Sequence, residues 1–598
     1  MSDLDLLRQY EPIVRMTQGE LFLPRAVDSY VGASSLWELT AEKQPVELAP
    51  EGELTLDQLA TYDTLPPGSL YYLRFVREPL SPLEYQRWLA RPDRPVFKAP
   101  GRLARVPLIS RIGDAFFNLS LLVRGTLPGG TSAAAEIKTR ALSQEDDRAV
   151  YYGRVVRAGG WIVLHYLYFY TMNNWRSGFY GVNDHEADWE QAFIYLYEQD
   201  GVTRPMWVAY AAHDMRGDEL RRRWDDPLLV REGDHPVIFA GAGSHGSYFE
   251  AGEYMMAIEP AFLTPVKHAL NAARKFWTET LRQGDPAAAA QRIEQLISVP
   301  FVDYARGDGV SIGPGQPRTW SPVLIDDNTA WVAHYRGLWG LDTQDRFGGE
   351  RAPSGPKFNR DGSVRMSWYD PLGWAGVDKL FPIGRLAEEV RTRIDEVTAD
   401  LRQVRDRIET ERALLRDIAL DVEALKATAY FSSLREDRTR ELTVRQADFQ
   451  ALVRRESELA ETRLALIDYW GRVQTSDYGP PDAHLRQPHH PAPPVEQHRA
   501  IEVWAAVSGA LALMTFGYLL VTTPRHWVAW ALAVAAAFGA IDALARARVA
   551  RFLLSVIIAL AVVCTIILFI EFWQWIIIGG LIVIVLYMIR DNLRELRA

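Results

Sequence analysis

Hydrophobic residues are concentrated at the C-terminal end of the chain. From Val503 the run VWAAVSGALALMTFGYLLV carries no charge, close to the roughly 20 residues an α-helix needs to cross a bilayer core. A second run, from about Trp527 to Ala545, follows the turn Thr522-Thr523-Pro524-Arg525 and has Asp542 near its far end. Phe552 to Ile589 is a third apolar stretch, interrupted by Glu571 and Gln574 with Trp573 and Trp575 beside them. Polar groups flanked by tryptophan suit a tight turn at a membrane interface. The stretch therefore predicts two spans, and 501–590 a bundle of about four transmembrane helices, with 591–598 as a tail.

Arginine placement orients such a bundle. Arg546, Arg548 and Arg551 lie between the second and third runs, and Arg590, Arg594 and Arg597 follow the last. Of the opposite loops, one holds only Arg525 and the other no base. Basic loops stay in the cytoplasm, so the expectation is an integral membrane protein with its soluble domain and C-terminus cytoplasmic. The start, MSDLDLLRQYEPIV, has acids where a secretory signal has bases, and a signal peptide is not expected.

Upstream of the apolar end, Val390, Ile394, Val397, Leu401, Val404, Ile408, Leu415, Ile418, Val422 and Leu425 alternate spacings of three and four, with Glu411 breaking the series. That period is a coiled-coil seam. A second pattern, Phe449, Leu452, Leu459 and Leu466, follows the irregular Phe431-Ser432-Ser433. Together they predict an antiparallel coiled-coil hairpin over 384–472, with a parallel oligomeric coiled coil as the competing arrangement. The segment 473–500, with GPPDAHLRQPHHPAPPV, reads as an extended proline-rich linker in which His489 and His490 are solvated.

Residues 1–380 behave differently. Short runs rich in Val, Ile, Tyr, Phe and Trp, such as Trp161 to Tyr170, Trp189 to Tyr197, Met206 to Ala211 and Pro236 to Ala240, alternate with Gly, Pro and Asn turns. This predicts a soluble β-sandwich-like domain, with a helical insertion near 261–298. The fold class is thus multi-domain: β-rich, then helical hairpin, then membrane bundle. With 598 residues, a formal net charge of −10 and no basic stripe, a nucleic-acid partner is not expected. The single cysteine, Cys564, excludes an intramolecular disulfide framework and a Cys-based zinc site.

The chemistry-bearing stretch runs through NDHEADWE. With a strand starting at Asp188, Asp188 and Glu190 point to one face and Trp189 to the other. His185, in the preceding turn with Asp184, can fold over the same face. One imidazole and two carboxylates make a divalent-cation site, His185, Asp188 and Glu190, whose oxygen-rich set suits Ca²⁺, Mg²⁺ or Mn²⁺, with Zn²⁺ also possible. An acidic surface turn with a core tryptophan is the plain alternative. A second stretch, FAGAGSHGSYFEAGEY, runs from a strand into a glycine-rich turn bearing Ser244 and His245. Ala242-x-Ser244-x-Gly246 has the spacing of a degenerate nucleophile elbow, but that motif needs a helix after the serine, and SYFEAGEY reads as extended. His245 is instead a candidate base or further ligand beside the first site. A satisfied structural histidine is the alternative. Asp184, Trp189, Ser244 and His245 complete the expected ligand-binding set.

The blocks YEPIVRMTQGELFLPRAVDSYV, NDHEADWE, AGSHGSYF and RGLWG with APSGPKF and WYDPLGW, in that order over about residues 10–375, resemble the vacuolar protein sorting-associated protein 62 family. The central block is also similar to the metal-binding heptapeptide of the necrosis-inducing cytolysins. His185, Asp188, Trp189 and Glu190 match it, whereas Asp184, Glu186 and Ala187 replace a glycine, an arginine and a histidine. No aspartate near Ser177 supplies the cytolysins' upstream ligand. The resemblance implies a β-sandwich that binds a divalent cation and recognises lipid head groups.

The expected function is that of a membrane-anchored cytoplasmic binding module using the cation to engage a lipid head group, glycan or protein partner in membrane trafficking or maintenance. A metal-dependent hydrolase of phosphoesters or lipids with His245 as base is one alternative. An oligomeric membrane effector or channel is the other. Gly509, Gly517, Gly539, Gly579 and Gly580 permit the close helix packing that homo-oligomers use.

Overall fold

The computed structural model describes residues 1–63, 67–98, 108, 111–113, 115, 116, 119, 129–175, 184–199, 201–212, 217–258, 299–341, 352–427, 429–485, 490–492 and 499–595. The helical insertion expected near 261–298, the neighbourhood of Ser177, and His489 lie outside these residues.

The N-terminal region is rich in sheet. Six strands form its main layer, ordered Trp320–Leu324, Ala149–Ala158, Trp161–Asn173, His185–Gln199, Val202–Tyr210 and Arg221–Arg223. The first pair is parallel and the rest are antiparallel. The run WIVLHYLYFYTM has no polar face because both sides of its strand are covered, so its apolar pattern is continuous rather than alternating. On one side Leu164, Tyr166, Tyr168 and Tyr170 pack with Val14, Ile238 and Ile312 of a second sheet. That sheet joins Arg231–Glu232, His235–Ala240, Ile13–Arg15 and Ser311–Ile312, and Ser247–Tyr248 pairs back on His235–Ala240. On the other side Leu167 and Phe169 meet Val27, Tyr30, Val31 and Trp339. Two packed sheets with helix and loop on the outer face thus enclose the central strands.

The C-terminal half is mostly helical. Ile383–Leu425 and Ser432–Gln474, 43 residues each, lie antiparallel. Arg405 Nε bonds Glu456 Oε1 at 2.8 Å, Arg463 Nε bonds Thr398 Oγ1 at 2.9 Å, and Trp470 Nε1 bonds the Ala387 carbonyl at 3.1 Å. Val397, Leu401 and Leu459 form the buried seam. Glu411 interrupts the apolar series because Arg445 reaches it across the pair at 3.2 Å.

The linker is not free. His490 Nδ1 lies 2.7 Å from Glu250 Oε2, and the Ala492 N–H donates to the Glu253 carbonyl at 2.7 Å. His484 Nε2 meets the Arg221 carbonyl at 3.1 Å. These contacts do not bury His490, whose side chain stays 49% exposed as a solvated linker histidine would be; the prolines hold the segment extended, and an extended segment can lie along a sheet edge.

Two helices are long and apolar enough to cross a membrane among the described residues, Arg499–Thr522 and Pro524–Ala545. The expected third and fourth spans are corrected. Val549–Glu595 is one helix of 47 residues that passes through Glu571 and Gln574 without a break. Glu and Gln are good helix formers, and EFWQW contains no proline or glycine, so polarity alone does not turn the backbone. A helix of this length extends about 70 Å, which puts Arg551 and Arg590 at opposite ends. Arginine counts then no longer place the tail on the side of the N-terminal region.

Candidate functional site

The end of the central sheet is capped by the turn Gly241-Ala242-Gly243-Ser244-His245-Gly246. It closes on itself through Gly241 N–H to the Gly246 carbonyl at 2.9 Å and His245 N–H to the Gly241 carbonyl at 3.0 Å. Gly243 has φ +75°, and a Cβ there would lie 2.4 Å from the Asn174 carbonyl oxygen. Only glycine fits. That closeness allows the Asn174 N–H to donate to the Gly243 carbonyl at 2.8 Å, while the Gly243 N–H donates to Glu20 Oε2 at 2.7 Å. His245 itself takes φ +57°, a conformation that costs a non-glycine residue of order 1 kcal/mol or more unless its surroundings hold it.

The surroundings do hold it. His245 Nδ1 lies 2.8 Å from Asp188 Oδ2, and Nε2 lies 3.6 Å from Glu20 Oε1, an ion-pair separation rather than a hydrogen bond. The imidazole stacks on Tyr170 with centroids 3.8 Å apart and planes 5° from parallel. Burial disfavours the charged ring, but hydrogen bonding and attraction from Asp188 and Glu20 outweigh it and raise the His245 pKa to about 9. The ring is an imidazolium at neutral pH. Tyr170, buried beside Glu190, Asp188 and Glu20, is pushed well above its ordinary value and stays a neutral phenol.

Asp188 and Glu190 stand opposite Tyr170 and Tyr168 in the strand register, on the face toward the second sheet. Both Asp188 hydrogen bonds, from His245 and from Asn173 Nδ2 at 3.0 Å, fall on Oδ2. Trp189 points the other way, among Tyr152, Phe169, Trp331 and Trp339. His185 departs from the expected turn: it is already in the strand, opposite Asn173, because the antiparallel ladder continues past the irregular Ala187, whose φ is +57°. Its Nδ1 lies 2.8 Å from the Ala187 carbonyl. Asp184, just before the strand, is buried. Ser244 donates to Asp303 Oδ2 at 2.8 Å, and Tyr248 donates to the same oxygen at 2.7 Å. The serine hydroxyl is thus directed at a carboxylate and not at His245, and Ser247–Tyr248 is a strand, so the nucleophile-elbow arrangement is not formed. Among the described residues no group of three or more His, Cys, Asp and Glu side chains is arranged to hold a metal ion.

Several participants were not legible beforehand. Glu20, Asn173 and Asp303 come from distant segments with no local pattern to mark them. Glu186, inside NDHEADWE, has a structural role, since its carboxylate accepts the N–H groups of Phe75 at 3.1 Å, Val76 at 2.6 Å and Leu341 at 3.0 Å. Burial pushes its carboxyl above the ordinary value against those three donors. Glu20 also lines a cleft of about 260 Å³ with Arg25, Thr139, Arg140, Arg148 and Arg318. Arg140, Arg148 and Arg318 are paired with Glu136, Asp146 and Asp147. Arg25, 5% exposed, bonds the carbonyls of Thr139 at 3.1 Å and Asp146 at 3.4 Å and has no carboxylate at ion-pair distance among the described residues.

No family model matches the chain, and no solved structure does. Over 204 residues it is 25% identical to a vacuolar protein sorting-associated protein of Saccharomyces cerevisiae, TDA6, in a match covering 31% of this chain. The chain spans 36% of that protein's length.

Proposed function

We propose that this chain is a membrane-anchored recognition module related to the vacuolar protein sorting-associated protein 62 family. In this reading its N-terminal region faces the cytoplasm and holds a divalent cation at Asp188 and Glu190, with His185 as a nitrogen donor. The cation and the neighbouring cleft together engage the phosphate of a lipid head group. Few protein ligands are involved, so the head group's own oxygens complete the coordination shell. Oxygen donors suit Ca²⁺, Mg²⁺ or Mn²⁺.

The observation that carries the reading is the double position of Glu20. It backs His245 on one side and lines the arginine-bearing cleft on the other. Around it lie four carboxyl groups, Glu20, Asp188, Glu190 and Asp303, with two cationic side chains among them, the His245 imidazolium and the Arg365 guanidinium, which feels Glu190 and Asp188. Four acids against two cationic side chains leave an excess of negative charge that favours a cation, and Arg25 in the cleft that Glu20 also lines favours an anion. A phosphate bridged by a divalent ion satisfies both. His185 supports the assignment because metal-binding histidines commonly donate the other ring N–H to a carbonyl.

The test uses the full chain in phosphatidylcholine nanodiscs, followed by thermal unfolding with Mn²⁺ alone and then with inorganic phosphate as the probe. Mn²⁺ is expected to raise Tm, with a further increment from phosphate only when Mn²⁺ is present. The Asp188→Asn/Glu190→Gln variant should lose both effects and Arg25→Gln only the second. An unchanged Mn²⁺ shift in the double variant rejects the reading.

A further inference from the structure

Arg111 belongs by sequence to the N-terminal region, yet its guanidinium is buried between the two membrane-length helices, 3% exposed. It is hydrogen-bonded to Ser508 Oγ and, at 3.5 Å, to the Ala505 carbonyl, both on the Arg499–Thr522 helix. It also forms an ion pair with Asp542 on the Trp527–Ala545 helix. Asp542 also accepts from Trp504 Nε1 at 3.1 Å and lies at ion-pair distance, 3.0 Å, from Arg546 Nε. The backbone fits as closely as the side chain. A Cβ on Gly509 would lie 2.5 Å from the Arg111 carbonyl oxygen, so that glycine is the notch into which this segment settles. Ala505, Ser508, Gly509 and Ala512 are the buried residues of their helix, and their small size lets another backbone approach. On the same short segment Phe116 and Leu119 are 45% and 47% exposed.

We infer that the segment around Arg111 is a third membrane-inserted element, contributed by the N-terminal region and clamped into the helical pair by the Arg111–Asp542 ion pair. A charged side chain in hydrocarbon is tolerated only when paired, and here Asp542, Ser508 and a helix carbonyl supply the partners. Exposed Phe116 and Leu119 on this element face lipid rather than water. Asp542 lies in the last turn of the Trp527–Ala545 helix, so the pair sits toward the end that Arg546 and Arg548 follow. The consequence is mechanical: the sheet-rich region is fixed against one membrane face, not suspended from the proline-rich linker. The inference rests on reading these two helices as membrane spans, and the control position below tests that reading separately.

The experiment uses the full chain in nanodiscs with Cys564→Ser and one added cysteine, Phe116→Cys, carrying an environment-sensitive fluorophore. Leu511→Cys, on the outer surface of the Arg499–Thr522 helix, is the control. Quenching by acyl-chain spin-labelled lipids is expected at both positions, with iodide ineffective at both. Adding Arg111→Gln or Asp542→Asn should lower lipid quenching at position 116 at least two-fold and leave position 511 unchanged. Iodide quenching at 116 with lipid quenching at 511 overturns the inference. Iodide quenching at both positions overturns the membrane reading beneath it.

Discussion

Asp188 and His245 stand 57 positions apart in the chain and meet with Oδ2 2.8 Å from Nδ1. One is carried by the longest strand of the main sheet and the other by a glycine turn of the second sheet, so their contact locks the two layers together at one end. Because the histidine is charged and the pair is buried, removing either partner strands the other. Breaking such a pair costs about 3–5 kcal/mol.

The first expectation concerns pH. The His245 pKa lies near 9 in the folded protein against 6.5 ordinarily. A raised pKa stabilises the fold fully below about pH 6.5, and the contribution is lost as pH climbs through about 9. At about 1.4 kcal/mol per unit, the contribution is roughly 3 kcal/mol. Urea unfolding of the full chain in detergent between pH 6.5 and 9.5 should show wild type losing stability over this window. The His245→Gln variant should be less stable at pH 6.5 and flatter across the window. Parallel slopes for the two proteins would contradict the assigned charge.

The second concerns Gly243. Alanine there combines φ +75° with a side-chain carbon 2.4 Å from the Asn174 oxygen. Gly243→Ala should lower stability by about 2 kcal/mol or more through backbone strain and overpacking. Gly315, at φ +71° with nothing within 4 Å, offers the comparison: Gly315→Ala should cost about 1 kcal/mol, from conformation alone. Equal effects on Tm would show that the Asn174 contact contributes nothing.

The sequence disclosed part of this arrangement. Long apolar runs located the central strands, and the three–four alternation located the paired 43-residue helices. The shared face of Asp188 and Glu190 followed from strand period alone. What escaped were relationships carried by tertiary contact. Glu20 reaches the site through a turn that its own segment does not announce. Glu186 looks like a ligand beside Asp188, yet the left-handed Ala187 between them interrupts the alternation and turns it to bind backbone amides. Glu571 and Gln574 mark polarity but not a chain break, since helix continuity depends on backbone-compatible residues and not on hydropathy.

Glu186 yields a third expectation. Glu186→Ala would leave three N–H groups without acceptors, those of Phe75 and Val76 buried and that of Leu341 part-buried, at about 1–3 kcal/mol for each buried one before relaxation. Hydrogen exchange at Phe75, Val76 and Leu341 should quicken together, ahead of the rest of the sheet. Exchange that quickens at only one of the three would show that the carboxylate does not hold these segments jointly.

A fourth concerns the helical pair. The Glu411–Arg445 contact is partly exposed, at 27% and 33%, and such pairs contribute at most about 1 kcal/mol. Replacing both by leucine restores the apolar seam and should leave Tm unchanged or raise it. A loss of several degrees would mean the ion pair specifies the register.

The most direct measurement is an electron paramagnetic resonance titration of Mn²⁺ into the full chain in nanodiscs, comparing wild type with the Asp188→Asn/Glu190→Gln variant at equal folded fraction. The expected result is saturable loss of the free-ion signal in wild type, reaching about one ion per chain, and at least ten-fold weaker binding in the variant. Identical curves for the two proteins, or no binding by wild type at millimolar Mn²⁺, would contradict the cation-centred account.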